Sequence, residues 1–221
     1  MSLQLSMNFK KSMWNTPGEY KDLSHAKEIA IDLETKDDGI SNGYGAGWAT
    51  NKGEIVGFAV AVEGWQGYFP FGHLGGGNMI PEQVKAYMKK ICSLPCPKIF
   101  HNAQYDVGWL EASGIKVNGE IIDTMIAASL IDENRYQYSL NSLSIDYLGE
   151  IKAETDLKEA AAAHGVDPKK DMWMLPAEHV GYYAEQDARL TLLLWQRFKQ
   201  EIQTQSLSTV WELEKNLIPI L

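Results

Sequence analysis

Two acidic residues stand two positions apart in a short apolar run of the 221-residue sequence. Asp32 and Glu34 lie in residues 28–34, where the residues between the acids are apolar. Because alternate residues of a β-strand point to the same face, the two carboxylates share one face of the predicted strand. An isolated charge is costly to bury, so such acids sit at a strand end, pair with a base or hold a metal. A surface or capping role is the simpler alternative.

Further acids follow in two later segments. Asp106 comes shortly after a predicted strand, in residues 101–106, and taken alone it could be an acid in the first turn of a helix, which the helix dipole favours. Asp187 follows Tyr183 by four residues on a predicted helix, so the phenol and the carboxylate share a face. Alone, this pair could arise by chance. Carboxylate oxygens suit hard cations such as Mg²⁺ or Mn²⁺.

The hydrophobic pattern predicts the elements that position these residues. Strands are expected at residues 28–34, 54–62, 68–71, 98–101 and 120–122. Helices are expected at residues 81–93, 105–112, 125–130, 140–148, 156–164 and 177–204. A three-strand antiparallel meander, then strand, helix and strand, then helices, indicates an α/β fold in which helices pack on a mixed five-stranded sheet.

Composition limits the classes of protein to consider. The chain is 45% hydrophobic and 22% charged, typical of one globular core. No stretch reaches the ~18 consecutive apolar residues of a membrane helix, and the N-terminus lacks the apolar run of a secretory signal, so we expect a cytoplasmic protein with no membrane partner. Cys92 and Cys96 have no second pair to complete a metal site, which favours reduced thiols.

The net charge of −9 bears on nucleic-acid binding. It argues against a protein that grips long nucleic acid by neutralising many phosphates. It does not exclude a nuclease, because carboxylates gathered to hold divalent cations add negative charge of their own, and the cations supply the positive field at the phosphodiester.

The acidic segments also form an ordered pattern along the chain. Asp-x-Glu lies in the first strand, Asn-x-x-Tyr-Asp follows a later strand, and Tyr-x-x-x-Asp lies on a late helix. Residues 27–205 thereby resemble the DEDD superfamily of 3′–5′ exonucleases, which has a ribonuclease H-like fold. The tyrosine-bearing DEDDy branch is the better match, because Tyr182 stands where the histidine branch has its histidine.

A closer resemblance is to the proofreading domain of family A DNA polymerases of the DNA polymerase I type, especially phage versions. It rests on residues 20–24, 29–35, 71–73, 75–78, 123–124 and 138–143. It implies hydrolysis with two divalent ions, Mg²⁺ or Mn²⁺, at the 3′ end of single-stranded DNA, releasing nucleoside monophosphates.

The resemblance also assigns roles to the acids. Asp32 would bridge both metals, Glu34 and Asp187 would complete the tighter metal site, and Asp106 would reach the second metal through water. Tyr183 would orient the attacking water, because an ordinary phenol with a pKa near ~10 is a poor general base.

Substrate contacts are implied at four positions. The backbone of Thr35 would meet the terminal sugar, Asn102 and Tyr105 would lie near the terminal nucleotides, and Leu157 would wedge against a base. Tyr105 could instead pack in the core, and Leu157 could bury one face of an alanine-rich helix.

The expected organisation is a surface leader at residues 1–26, the exonuclease domain at 27–205, and at 206–221 the start of a connection to a polymerase domain of the intact chain. Two alternatives remain. One is an exoribonuclease of the same superfamily, because recognition of a 2′-hydroxyl is invisible in sequence. The other is an inactive nucleic-acid-binding module, which would be expected to lose a metal ligand, whereas the acids and Tyr183 are all present.

Overall fold

A computed structural model describes residues 13–152 and 154–218. Residues 1–12 of the predicted leader and 219–221 of the predicted connection lie outside this description. The described chain contains a five-stranded sheet with the strand order β3-β2-β1-β4-β5. The strands are β1 Ile29–Lys36, β2 Glu54–Val62, β3 Trp65–Pro70, β4 Lys98–Phe100 and β5 Ile121–Asp123.

The sheet is mixed, as the sequence predicts. Strand β1 lies at its centre, antiparallel to β2 and parallel to β4. Strand β3 pairs antiparallel with β2, and β5 pairs parallel with β4. A tight turn joins β2 to β3, and Gly64 takes the positive φ of 75° that suits glycine there. The parallel strands are connected through helices, as parallel pairing requires.

Helices cover both faces of the sheet. They are α1 Asp38–Ser41, α2 Gly47–Thr50, α3 Pro81–Ser93, α4 Ala103–Ala112, α5 Thr124–Ile131, α6 Leu140–Leu148, α7 Thr155–His164, α8 Ala177–Thr204 and α9 Ser208–Leu217. The predicted bounds of α3, α6 and α8 are confirmed residue for residue. Helices α1 and α2 were not predicted, and α9 occupies the segment predicted as a connection.

The two faces of the sheet carry different apolar layers. Ile31 and Leu33 of β1 point into a cluster with α3 and α4. The opposite face presents small residues, among them Ala30 and Ala59, to α8, which packs across β1, β2 and β3. Because side chains in a packed interior fill the space between elements, small residues let a helix lie close to the sheet. The side chains of α8 therefore reach the face on which Asp32 and Glu34 lie.

The described part of the predicted leader is only partly a surface segment. Leu23 is buried, and the Trp14 indole donates a 2.9 Å hydrogen bond to Glu185 of α8. A Cβ atom at Gly181 would lie 2.1 Å from the Trp14 ring, so glycine makes room for it. The sequence did not predict these contacts, because the buried positions follow neither a helical nor a strand period. Among the described residues, no helix is long and apolar enough to cross a bilayer.

Candidate active site

Strand β1 carries the first two predicted site residues on one face. Asp32 stands opposite Ala59 and Glu34 opposite Gly57 in the β1–β2 register, and both side chains are half-buried. A bulge follows between Glu34 and Thr35. Such bulges bend a strand and redirect its side chains, and they are frequent beside active sites. The two carboxylates thus lie in the second half of β1, towards α8.

Helix α8 brings Asp187 to the same place. Ala184 and Ala188 pack in the core cluster on the sheet face, which orients the buried Asp187 side chain towards β1. Burial raises the pKa of Asp187 to about 6, against the lowering effect of the Lys152 charge. Burial also raises the pKa values of Asp32 and Glu34, and the Asp187 charge raises both further. The charge of Asp187 thus acts on both carboxylates of β1.

Asp106 joins the group from α4. Its side chain is 4% exposed, and burial raises its pKa well above the usual range. The negative charge of Asp32 raises that pKa further, whereas a hydrogen bond from the Leu33 backbone lowers it. The structure therefore brings all four predicted carboxylates into one electrostatic group, built from β1, α4 and α8.

Asp123 holds the start of α4 in position. Asn102 precedes α4 with a left-handed φ of 71° and makes no side-chain capping bond. The Asp123 carboxylate instead accepts hydrogen bonds from the backbone N–H groups of Asn102 (3.1 Å), Ala103 (2.7 Å) and Met125 (2.8 Å). One side chain thus accepts from backbone N–H groups at the starts of both α4 and α5. The sequence signal was only an aspartate before a helix, which did not reveal the second role.

The Tyr183 hydroxyl lies beside these acids. Burial raises the pKa of Tyr183 well above 10, and the charges of Asp187 and Glu34 raise it further. The phenol therefore stays protonated near neutral pH and can donate a hydrogen bond. This state suits a group that orients a water molecule, and it opposes a role as general base.

Lys152 is the residue of this site that sequence reasoning missed. Its ammonium donates to Asp187 Oδ2 at 2.6 Å and to Tyr183 Oη at 3.0 Å. It also lies 4.3 Å from the centre of the Tyr183 ring. Lys152 is 9% exposed, although it lies in the irregular segment between α6 and α7. No local pattern links it to residues 31 and 35 positions away.

The acidic group has the donors that a divalent cation needs. Asp187 Oδ1 is buried and makes no hydrogen bond within the described part of the chain. A buried, unpaired carboxylate oxygen beside further carboxylates matches the oxygen ligands of hard cations. In residues 13–152 and 154–218, no three His, Cys, Asp or Glu side chains lie close enough together to form a preformed metal site. The Lys152 ammonium supplies a positive charge beside Asp187.

The predicted substrate contacts lie in two places. The Thr35 and Tyr105 hydroxyls are 2.8 Å apart, and Tyr105 also donates to Asp37 at 2.8 Å. Asn102 is exposed beside them, at the start of α4. Leu157 is 4% exposed and packs in the core cluster beside α8, which matches the alternative of a buried helix face. In this arrangement Leu157 has no face open to a base.

Tyr68 lies behind the acids as a second unpredicted element. Its hydroxyl lies within hydrogen-bonding distance of His73 Nε2, at 2.5 Å, and burial lowers the pKa of His73 to about 4, so the ring is neutral near pH 7. Burial raises the pKa of Tyr68, and the charges of Glu34 and Asp32 raise it further. A Cβ atom at Gly57 would lie 1.9 Å from the Tyr68 hydroxyl oxygen, so only glycine leaves room for this ring.

Comparison with known proteins agrees with this geometry. Residues 19–203 match the family described as 3′–5′ exonuclease. A DNA-directed DNA polymerase of Pseudomonas phage M6 is 41% identical over 201 residues, which are 89% of this chain and 30% of that protein. DNA polymerase I of Pseudomonas aeruginosa is 29% identical over 91% of this chain and 22% of its own length. The chain thus spans less than a third of these relatives.

A solved structure shows the same fold. Brucella melitensis NrnC with bound Mg²⁺ superposes with a TM-score of 0.63 at 16% identity, covering 93% of this chain and 88% of that one. This likeness confirms the ribonuclease H-like arrangement that the sequence predicts.

Proposed function

This chain belongs to the 3′–5′ exonuclease family, and we propose that it removes nucleoside monophosphates from the 3′ end of single-stranded DNA. The observation that carries the proposal is that buried Asp106 and Asp187 and the half-buried Asp32 and Glu34 form one electrostatic group beside the protonated Tyr183 hydroxyl. Three separate elements, β1, α4 and α8, supply these groups. No structural requirement of the fold demands so many acids together, because each is costly to bury without a partner.

The proposed roles of the acids are those that the family resemblance implies. The family uses divalent metal ions, and we assign two, Mg²⁺ or Mn²⁺, to this site. Asp32 would contact both, Glu34 and Asp187 would hold one, and Asp106 would serve the other. When bound, such ions lower the pKa of a coordinated water and neutralise charge on the phosphate. The raised carboxyl pKa values support this assignment, because buried acids of one sign favour a cation among them.

The remaining side chains would orient the reactants. The Tyr183 hydroxyl would hold the attacking water by donating or accepting a hydrogen bond while it stays protonated. The exposed Asn102 amide and the Thr35 backbone would contact the terminal nucleotides, with Tyr105 fixing the distance between β1 and α4. Leu157 would reach a base only if α7 moved, because its side chain is buried in this structure.

The relatives suggest a wider context. The phage M6 and Pseudomonas aeruginosa relatives are named as polymerases, and this chain matches less than a third of each. We therefore assign it to the proofreading part of a family A DNA polymerase, with the polymerase domain in the same intact chain, acting in the cytoplasm of a bacterial or phage-infected cell. Residues 27–205 would form the exonuclease domain and 206–221 the start of the connection.

Degradation of 5′-labelled oligonucleotides tests this function. With Mg²⁺ or Mn²⁺, single-stranded DNA should give a ladder of products that shorten from the 3′ end, and EDTA should abolish it. A matched RNA oligonucleotide should be cut more slowly. Faster cutting of the RNA would favour the exoribonuclease alternative. Tight binding of both strands without cutting by either metal would favour the binding module.

A further inference from the structure

The Lys152 ammonium occupies a closed position within the acidic group. It lies 2.6 Å from Asp187 Oδ2 and 3.0 Å from Tyr183 Oη, with the Tyr183 ring 4.3 Å away on another side. The side chains of Lys152 and Asp187 are 7% and 8% exposed, so water screens this pair weakly. The Lys152 charge also lowers the pKa values of Asp32 and Glu34. Its positive charge thus acts on three of the four acids.

The neighbouring acids of the same segment have partners of their own. Glu150 pairs with Arg189 of α8, and Glu154 lies 2.6 Å from Lys158 of α7. Neither needs Lys152 for neutralisation. In this segment, Lys152 therefore pairs with the acidic group itself, and Asp187 Oδ2 is its carboxylate partner.

We propose that Lys152 competes with a divalent cation for Asp187, so that metal binding displaces the Lys152 ammonium. The inference rests on the proposed function, since it takes Asp187 as a metal ligand. An ammonium at 2.6 Å from Asp187 Oδ2 and a divalent ion on the same carboxylate would be two cations within a few ångströms in a weakly screened site. Their repulsion disfavours simultaneous occupancy.

The segment around Lys152 allows such a displacement. Lys152 lies after Gly149, which ends α6 in a left-handed conformation, and before α7. Among the described residues, its backbone N–H makes a long 3.4 Å contact with Asn141 Oδ1, its carbonyl accepts a 2.9 Å hydrogen bond from the Glu154 N–H, and Ile151 beside it is exposed. The lysine side chain has a flexible four-carbon stem, so the ammonium can move away from Asp187 without unfolding the segment. In the metal-free protein, Lys152 relieves the repulsion among the acids, and it lowers metal affinity by the same contact.

Metal affinity measured on a neutral variant tests the competition. Lys152→Met removes the charge and keeps the length of the side chain, so calorimetric titration should show Mn²⁺ binding about tenfold tighter or more than in the wild type. Its melting temperature in EDTA should fall, and the rise on adding Mn²⁺ should be larger. Lys158→Met, in the exposed pair with Glu154, is the matched control and should keep the wild-type Mn²⁺ affinity.

Equal or weaker Mn²⁺ binding by folded Lys152→Met would overturn the proposal. A measurement on the wild type covers the case of a variant that fails to fold. The hydrogens of the buried Lys152 ammonium, observed through the ¹⁵Nζ resonance, should be protected from exchange with water in EDTA. They should lose that protection with saturating Mg²⁺. Unchanged protection would contradict displacement. Absence of Mn²⁺ binding by both proteins would instead contradict the metal site of the proposed function.

Discussion

The hydroxyl groups of Thr35 and Tyr105 lie 2.8 Å apart and join the end of β1 to α4. Tyr105 donates its own proton to Asp37 Oδ2 at 2.8 Å, so the Thr35 hydroxyl donates to Tyr105. Asp37 is itself buried and accepts from the Gly47 and Ile40 backbone N–H groups. Two residues predicted to contact substrate therefore also fix the strand with Asp32 and Glu34 relative to the helix with Asp106.

Removing the Tyr105 hydroxyl should loosen this link. Tyr105→Phe leaves Asp37 and Thr35 each without one hydrogen-bond partner, so the free energy of unfolding should fall by about 1–3 kcal/mol. Urea denaturation in EDTA measures the change. Tyr136→Phe is the matched control, because that ring is fully exposed at 104% and should shift the midpoint little. Equal midpoints for the two variants would show that the link adds no stability.

Loss of the Asp123 carboxylate should disturb two helix starts at once. Asp123→Ala removes the acceptor of the Asn102, Ala103 and Met125 N–H groups, and it should cost about 2–4 kcal/mol of unfolding free energy. Exonuclease activity should fall as well, because α4 carries Asp106. Asp156→Ala, an exposed acid in the first turn of α7, should change stability by under about 1 kcal/mol. Similar losses in both variants would contradict the capping role.

Metal-free stability should fall as the pH rises through the acid range. Burial raises the pKa of Asp32 above its usual range and that of Asp187 to about 6, whereas both groups titrate near ~4 in the unfolded chain. Above pH ~4 the folded state holds more protons than the unfolded state, so these groups reduce the unfolding free energy as pH rises.

Substitution of Asp32 should weaken that trend. Guanidinium denaturation in EDTA at pH 4 and at pH 7 should show a smaller loss of stability for Asp32→Asn than for the wild type. Asp38→Asn, whose side chain is about half exposed at 48%, should keep the wild-type difference. An equal or larger loss in Asp32→Asn than in the wild type would mean that Asp32 does not titrate as a buried acid.

Removing the Tyr183 hydroxyl should lower the reaction rate and leave the metal affinity unchanged. Tyr183→Phe keeps the ring that faces Lys152 and removes the group that would orient water. The single-turnover rate of nucleotide release should fall on the order of tenfold to a hundredfold, while calorimetric Mn²⁺ affinity stays within about twofold of the wild type. A rate equal to that of the wild type would leave Tyr183 with a packing role only.

Local periodicity explains which parts of the site the sequence predicted. Strand alternation put Asp32 and Glu34 on one face, and helical spacing put Tyr183 and Asp187 on another. Both patterns repeat within a few residues, so they can be recognised in the sequence without knowledge of tertiary contacts. The bounds of α3, α6 and α8 were predictable for the same reason, since each helix has its own apolar face or clear end signals.

Contacts across long stretches of sequence explain what was missed. Lys152 meets Asp187 from 35 residues away, from a segment with no regular period. Helices α1 and α2 are single turns tied down by the buried Asp37 carboxylate, so propensity alone did not indicate them. In the predicted connection, Trp211 of α9 packs 5.3 Å from the Trp195 ring, a contact that depends on how α8 ends.

The most direct test of the proposed active site is the rate of mononucleotide release from 3′-labelled single-stranded DNA by Asp32→Ala with Mg²⁺ or Mn²⁺. Asp32→Ala should be slower than the wild type by on the order of a hundredfold or more, because it removes the carboxylate assigned to both ions. The surface variant Asp38→Ala should keep the wild-type rate, and circular dichroism should show all proteins folded. A wild-type rate in Asp32→Ala would contradict the account, since hydrolysis would then not depend on the acidic group of β1, α4 and α8.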